Sequence, residues 1–183
     1  MMFESFFDEF PDLMSTEVRY LKFLNSPTDS RSLIPKGRYE FFEFFCSNVN
    51  CDCKKAIIKV MSYELNKSWA IIRYGWGAGR RKPEFQLDPG NVDDPLSNEF
   101  LEFFKEMIRR DQHYAARIEK HYLQFKKRMR ERTQAINNFV CNQSGKEMDG
   151  MAPVTVVMEQ ISKNIFSKQT LKKKLFSLIR WRT

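Results

Sequence analysis

Hydrophobic positions recur along this chain with two different periods, and the change from one to the other divides it. Residues 38–45 (Arg-Tyr-Glu-Phe-Phe-Glu-Phe-Phe) form a dense aromatic run. Residues 55–63 set Ala56, Ile58 and Val60 on one side against Lys55, Ile57 and Lys59. Residues 68–76 follow the polar pair Asn66-Lys67. These three stretches read as strands joined by short turns, which makes an antiparallel meander. Residues 16–24 hold β-formers in partial alternation and add a candidate first strand. Residues 25–37, rich in Ser, Pro, Asp and Gly, are a loop. Ahead of them, residues 2–10 (Met-Phe-Glu-Ser-Phe-Phe-Asp-Glu-Phe) predict a short amphipathic helix that stops before Pro11.

Past a loop over residues 77–94 the period becomes 3.6. Phe100, Phe103, Phe104, Met107 and Ile108 share one face of a helix over residues 97–110. Asp111 suits the N-cap of the next helix, where Tyr114, Ile118, Tyr122, Phe125 and Met129 draw an apolar stripe. After the break at Asp149-Gly150-Met151-Ala152-Pro153, further helices are expected over residues 154–166 and 171–179. No internal repeat is visible. The expected fold class is α+β, a small antiparallel sheet of three or four strands packed by C-terminal helices. Residues 1–150 are expected to form one domain, and residues 151–183 a basic helical extension.

Composition narrows the class. The 183 residues, 42% hydrophobic with 17 Phe, are enough to bury a real core. No run of about 18 apolar residues is present, so no transmembrane helix is expected. The N-terminal stretch carries Glu4, Asp8 and Glu9 and no base, unlike a secretory leader, so a cytoplasmic protein is expected. The net charge of +8 is uneven: residues 1–100 hold 13 bases against 15 acids, and residues 101–183 hold 18 against 8. A basic half of this kind points to an anionic partner, against the plainer reading of a solvated helical surface.

The chemistry concentrates in Cys46-Ser47-Asn48-Val49-Asn50-Cys51-Asp52-Cys53, between the second and third expected strands. Three thiols so close in a chain without an export signal suit a metal better than a disulfide framework. Zinc takes four such donors in a tetrahedral structural site. His121 lies at the margin of the apolar stripe, where it can reach the end of a sheet, and His113 lies well outside it. The expected site is therefore Cys46, Cys51, Cys53 and His121, a zinc clamp on the hairpin end, with Cys141 as the competing fourth ligand. Three cysteines packed as small hydrophobes are the plain alternative. A catalytic thiolate paired with His121 or His113 is another, although no nucleophile motif surrounds any of the four thiols.

The bases offer a second constellation. Gly75–Lys82 is glycine-rich but lacks the Gly-Lys-Ser/Thr ending of a phosphate loop, and Arg80, Arg81 and Lys82 remain as candidate phosphate contacts. Arg117, Lys120, Lys126, Lys127, Arg128, Arg130 and Arg132 line the polar face of the second helix. Residues 163–183 hold seven bases, among them Lys172, Lys173 and Lys174, and no acid. Such surfaces hold nucleic acid or another polyanion without reading its sequence, and the last helix, with Phe176 and Trp181, could lie on an anionic membrane. The leading expectation is a non-enzymatic, zinc-stabilised basic module that binds nucleic acid. Alternatives are an assembly subunit that docks a protein partner through its Phe-rich N-terminus, and a thiol-dependent enzyme.

The run Gly37–Cys46 with Cys51-Asp52-Cys53-Lys54-Lys55, continued by Leu87-Asp88-Pro89-Gly90-Asn91 and His121-Tyr122-Leu123-Gln124-Phe125-Lys126, resembles a group of bacterial proteins. Their shared features are an aromatic strand and a Cys…Cys-Asp-Cys turn, and some carry a C-terminal zinc-binding SEC-C motif. The resemblance spans roughly residues 16–127 and includes His121 and the three cysteines. This chain lacks the SEC-C cysteines. The resemblance agrees with a metal site and implies no activity.

Overall fold

The computed structural model describes residues 2–24, 32–77, 82–91 and 94–144. Six strands form one antiparallel sheet: β1 (Phe3–Ser5), β2 (Arg19–Phe23), β3 (Gly37–Cys46), β4 (Lys55–Ser62), β5 (Lys67–Gly75) and β6 (Glu84–Leu87). β3, β4, β5 and β6 neighbour one another in that order. The outer edge of β3 is shared end to end, β2 pairing with its first half and β1 with its last three residues. Two short helices, α1 (Phe6–Glu9) and α2 (Met14–Glu17), lie between β1 and β2. α3 (Pro95–Arg110) and α4 (Gln112–Ser144) follow the sheet.

The class is α+β as expected, with more strands than the sequence suggested. β6 escaped because Glu-Phe-Gln-Leu is short and half exposed, and its place in the sheet comes from pairing with β5. Residues 2–10 are not a single helix. Phe3–Ser5 is extended because it adds to the free edge of β3, and only Phe6–Glu9 coils. The start of the expected first strand is likewise helical, through Glu17. The expected helices over 154–166 and 171–179, with Arg80, Arg81, Lys172, Lys173 and Lys174, lie outside the described residues.

Period-two alternation sends Phe41, Glu43 and Phe45 of β3 to the same face as Ala56, Ile58 and Val60 of β4 and Ala70, Ile72 and Tyr74 of β5. All nine are buried, and the two long helices cover them. α3 contributes Phe104, whose ring lies 6.3 Å from Phe41 and 5.5 Å from Tyr74. α4 contributes Phe125, 5.7 Å from Phe45, and Tyr122, 5.2 Å from Trp76. The whole stripe Tyr114, Ile118, Tyr122, Phe125, Met129 is buried, as its spacing requires. Asp111 does cap α4, its carboxylate accepting from the Tyr114 N–H at 3.0 Å. At the β4–β5 turn Asn66 takes a positive φ of 47°, which its short polar side chain tolerates.

The N-terminal segment belongs to this core. Phe6 and Phe7 are buried, Phe6 packing on Phe45 and Phe7 on Phe42. Arg132 of α4 fixes the same segment from outside by bonding Glu9 at 2.9 Å and Glu4 at 3.1 Å. Two of the four phenylalanines expected to dock a partner, Phe6 and Phe7, are thus taken up by the chain's own core, while Phe3 and Phe10 are half-buried.

Chain contacts divide the protein into two units, Met1–Ala135 and Ile136–Thr183. The second contributes the end of α4 to the described residues, with Ile136, Phe139 and Val140 exposed. No helix among the described residues is long and apolar enough to cross a membrane.

Candidate metal centre

The loop between β3 and β4 is shaped by its own polar groups before any ion is considered. Asn48 is the organiser: its side-chain oxygen accepts from the Asn50 N–H at 3.0 Å, and its carbonyl accepts from the Cys51 N–H at 3.1 Å. Asn at this place closes a local turn by mimicking a backbone carbonyl. The Lys54 N–H donates to the Asp52 carbonyl at 2.8 Å, and Ser47 holds the Met2 carbonyl at 3.1 Å through its backbone. From α4, Lys126 reaches beneath the loop and donates to the carbonyls of Cys46 and Asn48. An ammonium group on a residue only 3% exposed must be hydrogen-bonded, and these carbonyls supply the partners.

The turn folds Cys51 and Cys53 back over the end of β3. The sulfurs of Cys46, Cys51 and Cys53 then lie within 4.8 Å of one another, the spacing at which three thiolates can hold one ion. Cys46 is buried at the sheet end, and the other two are half-buried. No disulfide links any of the four cysteines.

The thiols compete for protons. Hydrogen bonds from Cys53, then from the Cys46 thiol, with the Lys126 charge behind them, hold the Cys51 thiol below its ordinary value of 9.0. Burial, with the neighbouring sulfurs, pushes Cys53 up to about 12. Three sulfurs in one small volume cannot all be anionic without a cation between them. A divalent ion would displace those protons and remove the conflict.

His121 is elsewhere. Its ring is fully buried in α4, with Nδ1 2.8 Å from Glu43 Oε2 and Nε2 2.9 Å from Glu17 Oε2. Phe6 stacks on the ring at 4.0 Å. With both nitrogens facing carboxylates, His121 is not among the clustered donors, so the structure brings together three of the four expected ligands. The helical reasoning placed His121 correctly against the sheet and mistook what it meets there. Period two along β3 carries the missed signal: Glu43 falls between Phe41 and Phe45 on the buried face and needs a polar partner. Cys141, the competing ligand, is exposed on α4, as is His113.

The basic residues divide in the same concrete way. Arg132 and Arg128 pair with Glu9, Arg117 lies 4.0 Å from Glu17, and Lys126 is buried under the cysteine loop. Lys127 lies 4.0 Å from Glu131, so five of the seven bases on the polar face of α4 answer groups of their own chain. Lys120, Lys127 and Arg130 are exposed, as is Lys82 ahead of β6.

No family model, curated protein or solved structure matches the chain.

Proposed function

We propose that this chain is a non-catalytic zinc-binding module, in which Cys46, Cys51 and Cys53 hold the ion and the ion fixes the β3–β4 connection to the sheet. The observation that carries this reading is the convergence of three sulfurs within 4.8 Å on a loop already shaped by Asn48 and Lys126. Soft thiolate sets favour zinc, copper(I) and iron–sulfur clusters over hard cations. Among these, a single mononuclear site with a neighbouring ammonium fits zinc: three thiolates and one divalent ion carry one negative charge, which Lys126 offsets. Because such a site forms with the loop, its binding energy adds to folding. A melting curve recorded with and without a strong chelator tests this. The melting temperature falls on chelation and recovers when zinc is returned, and a curve indifferent to both treatments refutes the reading.

A second reading is a polyanion contact along the exposed face of α4. It is supported by the exposed Lys120 and Arg130, where the other bases of that face are turned inward or paired, Lys127 with Glu131 at 4.0 Å. Affinity for nucleic acid that falls steeply with salt and hardly varies with sequence is its signature. Binding unaffected by Lys120→Glu with Arg130→Glu removes it.

A further inference from the structure

Cys51 is the central sulfur of the three. The Cys53 thiol, the Cys53 backbone N–H and the Cys46 thiol all direct hydrogen bonds at it. The three sulfurs lie within 4.8 Å of one another, and no disulfide joins them. Cys46 is buried at the end of β3, where Lys126 holds its carbonyl, whereas Cys51 is half-buried on the loop. Cys51 is thus reached from solvent and flanked by two thiols in position to react with it. Ring size separates those two thiols. Cys51 and Cys53 are one residue apart, and joining them closes a small, strained ring. Cys46 lies across the turn, and joining it to Cys51 needs a closing movement of the loop of under about 3 Å.

We infer that the cluster is a peroxide-responsive switch, in which Cys51 is the oxidised residue and Cys46 resolves it to a disulfide. The Cys51 sulfur attacks one oxygen of hydrogen peroxide, the O–O bond breaks, and the departing oxygen leaves as water with the thiol proton. Cys51 is then a sulfenic acid, oxidised by two electrons while the peroxide is reduced by two. The Cys46 sulfur next attacks the Cys51 sulfur, the S–O bond breaks, and water leaves with the Cys46 proton. Two thiols and one hydrogen peroxide thus give one disulfide and two waters. A thiol reductant restores both groups by exchange. The chemistry needs no ion. Its consequence for the metal centre rests on the zinc reading above: the disulfide withdraws two of the three proposed donors, so oxidation releases the ion.

The full chain carrying Cys141→Ser, reduced and then freed of reductant, tests this by treatment with equimolar hydrogen peroxide and peptide mapping by mass spectrometry. Cys141 is exposed on α4 and lies outside the cluster, so its replacement removes cross-linking between chains and leaves the three sulfurs in place. The Cys46–Cys51 link should exceed any other pair by about tenfold, and the same treatment in denaturant should lose that preference. Cys46→Ser should instead leave Cys51 as a sulfenic acid that dimedone labels. A Cys51–Cys53 link as the main product overturns the inference, as does oxidation of Cys51 to sulfinic acid without a disulfide. Identical products from the folded and the unfolded chain overturn it as well. Zinc content before and after peroxide separates the two proposals. A Cys46–Cys51 disulfide in a chain that never held zinc keeps the switch and brings down the metal reading. Zinc retained, with all three thiols still reduced, does the reverse.

Discussion

Nδ1 of His121 lies 2.8 Å from Oε2 of Glu43, and both side chains are wholly buried between the sheet and α4. Glu17 answers the other ring nitrogen from α2. The group ties three elements far apart in sequence, α2, β3 and α4, at one point. The second oxygen of Glu43 has no hydrogen-bond partner among the described residues, which makes the site costly as well as specific.

Removing either partner leaves a buried polar group unanswered. Glu43→Ala and His121→Ala should each lower stability by about 3–5 kcal/mol. Replacing both, as Glu43→Leu with His121→Phe, should cost less than the sum, because a packed apolar pair requires no compensation. Denaturant midpoints of the four proteins decide it, and strictly additive losses would mean that the two residues do not act together. His121→Ala should also keep its zinc, which separates this pair from the cysteine site.

Much of the fold could be read from the sequence because the two hydrophobic periods are strong. β3, β4 and β5 begin and end within two residues of where alternation placed them, and the stripe from Tyr114 to Met129 is buried as drawn. Edge strands were harder, since β1 and β6 are three and four residues long and owe their conformation to the strand beside them. The three cysteines were legible from spacing alone. The carboxylate partners of His121 were not, because helix geometry tells which side a residue faces and says nothing of what stands opposite. The basic face misled for a related reason: Glu4, Glu9 and Glu17 lie 100 or more residues before the arginines they meet, and nothing local announces the pairing.

Arg132 holds the N-terminal segment through Glu4 and Glu9 while remaining about one-third exposed. Arg132→Ala should therefore cost only about 1 kcal/mol globally. Its larger effect should be local, with faster amide exchange over residues 2–10 and unchanged protection in β4 and β5. Equal acceleration throughout would show that the segment has no separate anchorage.

Burial pushes the Tyr74 phenol up to about 12, and Tyr114 well above its ordinary value. Both groups are thus harder to ionise folded than unfolded. Their contribution is complete below pH 10 and is lost as pH rises through the folded values. Stability should decline on the alkaline side from about pH 10, and Tyr74→Phe should flatten that decline while leaving neutral stability nearly unchanged. An alkaline limb identical in the variant would assign the loss to other groups.

Elemental analysis of the purified chain tests the central claim most directly. The account predicts about one zinc ion per chain, lost in Cys51→Ser and kept in His121→Ala and Cys141→Ser. A wild-type chain free of metal, whose Cys46, Cys51 and Cys53 alkylate without any change in melting temperature, would contradict it.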